Sequence, residues 1–360
     1  MLTIKSILKH KLWLACLLSI VIIFVGLPII VSQGQPPEVM PLGINVKNGD
    51  RIFYNFLDRL KSENAVLVLG TSETGKSMDG NNYWALLNRD EDLNRDFYSF
   101  GGAGRCTYVY FPLILDNPEA FKDLEIIVYL NPTYWRRGLN GFHSAYYSRY
   151  INPLFALSVK GETTLEIYNE FMAPAVSELT AIPFYLDRWV ENYKSLFYSD
   201  LAISMDQSSI TTLPTEPKVK ISDLGAKICY DSIKTKINLT YNASNEYLEK
   251  NGSFPVIDTS TNFQYNMLST FIQLTEEFDI NCIFYLGPYN GVYGQAKKSD
   301  QITAHQTVVN NIKGILKSSG ATYIDGSYQS SLTGTFTDIQ HISEYGAYLT
   351  ALDIKRYYEK

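Results

Sequence analysis

The segment at residues 68–77, VLGTSETGKS, supports two different chemistries. Gly70, Gly75, Lys76 and Ser77 satisfy the pattern G-x-x-x-x-G-K-[ST], in which backbone N–H groups wrap a phosphate and a helix starts directly behind them. The same residues also read as an apolar strand ending in Gly-x-Ser, with Ser72 held out as a nucleophile. The residues beyond Ser77 favour the serine. Asp79-Gly80-Asn81-Asn82 is turn chemistry where a phosphate loop needs uninterrupted helix. The strand-like run EIIVYL (125–130) ends in Asn131-Pro132, without the magnesium-holding carboxylate expected on a neighbouring strand.

A serine hydroxyl is a weak nucleophile at neutral pH unless a base takes its proton, and histidine suits that task. His341 is the candidate base. Asp338, three residues earlier, can reach back to the imidazole and fix its tautomer. An oxyanion needs preorganised donors: the backbone N–H of Ser72, those of Gly102 or Gly104, and the Asn131 side-chain amide. Each member has a plainer reading. Ser72 can cap a helix, GGAG (101–104) can be a tight turn, Asn131 can start a turn, and Asp338 and His341 can cap the helix that Ser343 also offers to cap. The conjunction in this order is more specific than any member.

Those residues need a scaffold that gathers them. Short β-rich runs recur at 65–70, 97–100, 125–130, 281–287 and 321–325, and Ser72, Gly101-Gly102-Ala103-Gly104, Asn131 and Asp338/His341 each come after one of them. Helical periodicity appears at 261–278, through Phe263, Met267, Phe271 and Leu274, and at 301–317. Alternation of strands and helices predicts an α/β fold with a mainly parallel five-stranded sheet covered on both faces, whose site lies outside the carboxyl ends of the strands. The stretch at about 138–255 breaks the alternation and reads as an aromatic-rich insertion.

With 360 residues, a net charge of −6 and a pI of about 5.4, the chain has no basic footprint for nucleic acid. Cys16, Cys106, Cys229 and Cys282 lack metal-ligand spacing, so neither a metal nor another cofactor is expected. Residues 12–31 form an uncharged apolar run preceded by Lys5, Lys9 and Lys11. That pattern predicts a transmembrane anchor (12–32) with a cytoplasmic tail (1–11), a linker (33–49) and an extracytoplasmic domain (50–360). A cleaved signal peptide is the rival reading, but no A-x-A site closes the run.

The blocks LGTSE (69–73), FGGAG (100–104), YLNPTYW (129–135) and DIQHISEYG (338–346) resemble those of SGNH hydrolase-fold proteins. With the N-terminal anchor and YLGPYNGVY (285–293), the chain resembles the extracytoplasmic O-acyltransferases of the D-alanyl-lipoteichoic acid biosynthesis (DltD-like) family. The resemblance implies a three-layer, flavodoxin-like SGNH fold and a partner membrane-bound O-acyltransferase (MBOAT). It also implies transfer of an acetyl or D-alanyl group through acyl-Ser72 to a hydroxyl of a surface polysaccharide or teichoic acid. Tyr134, Trp135, Arg136 and Arg137 lie directly after the third block, where aromatic rings can stack on sugars and guanidinium groups can bind anions; packing of a lid is the plainer alternative. His143 and His305 read as structural or solvent-facing, and Glu73 as a complement to a helix N-terminus. An esterase or deacetylase with the same residues, and a non-catalytic polymer-binding subunit, are the competing functions.

Overall fold

The computed structural model describes residues 11, 13–16, 18, 19, 53–74, 82–99, 114, 118–135, 218–225, 263–292, 299–337 and 341–360, with residues 53–56, 72, 134, 263 and 299–302 described through their backbone. Five strands form one sheet: β1 (Val66–Leu69), β2 (Phe97–Ser99), β3 (Glu125–Leu130), β4 (Asn281–Leu286) and β5 (Tyr323–Asp325). Their order is β2-β1-β3-β4-β5, and every pairing is parallel. The expected "mainly parallel" sheet is thus wholly parallel among the described residues. The strands are continuous apolar runs because both faces of the sheet are covered.

Alternation within each strand divides the core in two. Leu67 and Leu69 of β1, with Ile126, Val128 and Leu130 of β3, point to one face, where α1 (Phe53–Ser62), α3 (Phe263–Glu277) and α4 (Ser299–Ser318) bury Leu57, Leu60, Phe271, Ile312 and Leu316. Val66, Val68, Ile127 and Tyr129 point to the other face. There α2 (Tyr83–Arg89) and α5 (Glu344–Tyr358) supply Trp84, Leu87, Ala351 and Ile354. The helices α3 and α4 match the expected 261–278 and 301–317 to within two residues at each end.

The direction of α5 matters for the site. Tyr358, in its last turn, donates to Glu125 at the first residue of β3, and Lys355 lies 2.8 Å from Asp90, directly after α2. The carboxyl end of α5 therefore sits at the amino edge of the sheet. At 1.5 Å per residue, its 15 residues span about 22 Å, which carries its start to the carboxyl edge. Ser343 caps that start, its side chain accepting from Gly346 N–H at 3.1 Å. The plainer reading of His341 as the cap of this helix is thereby filled by another residue.

Among the described residues no helix is long and apolar enough to cross a membrane. The described part of the anchor segment is helical, with Trp13, Leu14 and Leu18 exposed. Most of residues 12–32, the linker at 33–49 and nearly all of the insertion at 138–255 lie outside the described residues.

Candidate functional site

The order β2-β1-β3-β4-β5 reverses direction between β1 and β3, and in open α/β sheets that reversal opens a crevice at the carboxyl ends of the two strands. The loop leaving β1 is Gly70-Thr71-Ser72-Glu73-Thr74; the loop leaving β3 is Asn131-Pro132-Thr133-Tyr134. Ser72 and Asn131 thus meet the expectation that their segments share one edge.

Several bonds hold the first loop. Thr74 N–H donates to Thr71 O at 3.0 Å and its hydroxyl to the same oxygen at 2.8 Å, closing a single 3-10 turn over Ser72–Thr74. The Ser72 N–H precedes that bond, the place where a helix start leaves donors for an incoming group. Trp84 Nε1 of α2 and the Ser99 hydroxyl of β2 both donate to Thr74 O, and Asn82 Nδ2 donates to Glu73 O at 2.6 Å. The backbone on the carboxyl side of Ser72 is therefore tied to two neighbouring elements. Gly70 is required by space: a Cβ there would lie 2.3 Å from Thr74 Cγ2 and 3.0 Å from Tyr129 Cβ.

The second loop is held by Asn131. Its Oδ1 accepts from Thr133 N–H at 2.8 Å, capping the 3-10 turn Pro132–Tyr134, and its Nδ2 donates to Glu73 Oε1 across the crevice. Glu73 and Asn131 are each 3% exposed. Glu73 is therefore a buried carboxylate joined to the opposite loop, where the sequence suggested a charge complementing a helix start.

Tyr129 lies below this pair, its ring stacked between Tyr83 (5.6 Å) and Tyr285 (5.3 Å). Burial, and then the charge of Glu73, push its phenol well above the ordinary range, so it stays protonated. Its hydroxyl is directed at the loop after β4, since a Cβ on Gly287 would lie 2.5 Å from the Tyr129 oxygen. The hydroxyls of Tyr129, Thr71 and Thr133 are buried with no hydrogen-bond partner among the described residues.

His341 stands two residues before the Ser343 cap, on the loop that reaches the carboxyl edge. Its carbonyl accepts from Thr337 N–H at 2.9 Å, and Phe336 and Ile342 form an antiparallel bridge that closes this loop at its base. His341 is partly exposed. Asp338, Gly102, Gly104, Arg136 and Arg137 lie outside the described residues, as do Gly75, Lys76 and Ser77 of the phosphate-binding pattern. Tyr134 falls within the 3-10 turn after β3. Trp135, at 2% exposed, belongs to the core on the α1/α3/α4 face with its ring 6.4 Å from that of Tyr265. His305 of α4 stacks on Tyr289, in the loop after β4, at 5.1 Å. No cluster of three or more His, Cys, Asp or Glu suited to a metal occurs among the described residues.

Two features of this edge were not legible from the sequence. A tyrosine inside an apolar strand carries no signal for Tyr129. Glu73 offers only one, a carboxylate placed immediately after a strand where most chains have a neutral turn residue. Compared with known proteins, the chain matches no family model, and no curated protein matches it.

Proposed function

We propose that the protein is a membrane-anchored, extracytoplasmic serine acyltransferase of the SGNH type, acting on hydroxyls of a surface polysaccharide or teichoic acid. The observation that carries this reading is the β1/β3 crevice, where the loop bearing Ser72 is bonded to Asn131 and the loop bearing His341 runs to the same edge. The motif order supports it, as do the apolar run at 12–31 and the lysines before it.

In this reading Ser72 Oγ attacks the carbonyl carbon of an acyl ester or thioester while His341 takes its proton and Asp338 holds the imidazole. The bond from that carbon to the leaving group breaks, and His341 returns the proton to the departing oxygen or sulfur. A polymer hydroxyl then attacks the acyl-serine and gives its proton to His341. Ser72 leaves and takes that proton back. The negative oxygen formed in each step is met by the N–H groups of Ser72 and of Gly102 or Gly104 and by the Asn131 amide. A membrane-bound O-acyltransferase is the partner that would deliver the acyl group across the membrane. Tyr134, Arg136 and Arg137 are the residues proposed to meet the acceptor. No cofactor enters this chemistry.

Labelling of the full-length chain by a fluorophosphonate, in which a serine oxygen bonds to phosphorus and fluoride leaves, tests the nucleophile. Labelling is expected in the wild type and absent in Ser72→Ala; equal labelling of both would end the serine reading. Acyl release measured with and without candidate glycans then separates the two enzymatic readings. Transfer that requires a glycan supports the acyltransferase, whereas release indifferent to every acceptor assigns an esterase.

A further inference from the structure

We infer that Glu73 is a positioning residue for this site: its carboxylate holds the Asn131 amide in one orientation and leaves a single amide N–H to offer a developing oxyanion. The inference rests on the serine reading above and adds to it a residue that the reaction itself does not require.

A carboxylate buried to this degree is costly unless hydrogen bonds satisfy it, so its placement one residue beyond Ser72 calls for a partner. That partner is Asn131, 58 residues away on the opposite side of the crevice. The orientation of the amide is set by donor and acceptor chemistry. A carboxylate only accepts and a backbone N–H only donates. Asn131 must therefore turn Nδ2 to Glu73 and Oδ1 to Thr133 N–H, and the flipped amide would set oxygen against carboxylate and N–H against N–H. The root of the Glu73 side chain is fixed as well, because its own carbonyl is held by Asn82 Nδ2 at 2.6 Å. Of the polar valences of the Asn131 side chain, one N–H and one lone pair of Oδ1 remain outside these two bonds, and only the N–H can donate to an oxyanion.

A donor aimed in advance is worth more to a transition state than one that must be turned during the reaction. The effect should appear in the chemical step and leave ground-state binding alone. The predicted signature is a change in kinact for fluorophosphonate labelling with KI unchanged.

The experiment compares full-length wild type, Ser72→Ala, Glu73→Ala, Glu73→Gln, Asn131→Ala and Glu73→Ala/Asn131→Ala by labelling kinetics, with thermal unfolding in parallel. Asn131→Ala is expected to lower kinact roughly 100-fold, the scale for losing one oxyanion donor. Glu73→Ala should lower it about 10-fold or more, and the double variant should be no slower than Asn131→Ala, because residues acting through one contact are not additive. Glu73→Gln keeps an acceptor for the amide and should stay within about threefold of wild type, a rescue that would not occur if the charge of Glu73 were what mattered. Should Glu73→Ala fail to fold, Glu73→Met keeps most of the volume, removes the acceptor and carries the same expectation. Wild-type kinetics in the folded alanine or methionine variant, or a double variant slowed by the product of the two single effects, overturns the inference while the serine reading stands. A wild type that does not label, or a Ser72→Ala that labels equally, removes the serine reading and this inference with it.

Discussion

The two edges of the sheet differ in how they treat polar side chains. At the amino edge, Arg95 pairs with Glu125 at 2.7 Å, Tyr358 donates to the same carboxylate, and Lys355 lies 2.8 Å from Asp90 and 2.5 Å from Asp92. Burial works against the charge of Lys355, but its bonds to Asp90 and Asp92 outweigh that and hold its pKa above the ordinary range. At the carboxyl edge a buried carboxylate is matched by a neutral amide, and the hydroxyls of Thr71, Tyr129 and Thr133 have no partner among the described residues. Charges paired with opposite charges fasten α5 and β3. Polar groups gathered without full pairing keep valences available for an incoming molecule, at a cost in stability. The same sheet therefore carries one end fastened by ion pairs and one end where buried hydroxyls have no partner among the described residues.

The largest expected effect comes from unfastening the amino edge. Lys355→Ala leaves Asp90, which is fully buried, without its cation, and loss of one partner of such a pair costs about 3–5 kcal/mol. Denaturant titration should show that loss, while fluorophosphonate labelling of the remaining folded protein keeps the wild-type rate. A drop in labelling at full stability would mean that the two edges are not separate in role.

Gly70→Ala acts on the opposite edge. The new methyl would meet Thr74, whose hydroxyl is anchored on Thr71 O at 2.8 Å, and Tyr129, which is stacked on both sides. Overpacking of this kind costs about 1–3 kcal/mol. The expected result is a smaller stability loss than for Lys355→Ala with a larger loss of labelling, because the displaced turn carries Ser72. The reverse ranking in both measurements would contradict the division between the edges.

The smallest effect concerns Asp353, which joins α5 to the segment after β5 and lies between the two edges. It accepts from Tyr285 at 3.2 Å, from Gln329 at 3.1 Å and from Tyr328 at 3.0 Å. Burial raises its pKa from the ordinary aspartate value, and these bonds only partly oppose the shift. A carboxyl raised in the folded state binds more protons there than in the unfolded chain, so stability falls as pH rises from about 4, near the unfolded value, through the folded pKa. Asp353→Asn removes that dependence. Stability of Asp353→Asn relative to wild type should increase with pH across this window and then level off; a flat difference would show that the folded carboxyl titrates normally.

Much of the framework arises from local pattern. Apolar runs of four to six residues became β1, β3 and β4, and the period of Phe271 and its neighbours became α3. The expectation that Ser72 and Asn131 leave the same edge of the sheet is also local in origin, because parallel strands put every strand-to-helix turn at one end. Trp135 shows where local pattern fails. Beside two arginines and a tyrosine it resembles a surface group, yet the turn capped by Asn131 directs it into the core.

The sequence by itself determined the five strands and the two helices of clearest periodicity, and hence that a serine, an asparagine and a late histidine would leave the sheet on one side, because hydrophobic periodicity and turn chemistry act over a few residues. Only the tertiary structure decided that β1 and β3 are neighbours at the reversal of strand order, that Glu73 meets Asn131 there, and that α5 runs with its start at this edge. Those outcomes depend on which crossovers bury the most apolar surface and on which distant polar groups then find partners away from water. No short window of the chain contains that information.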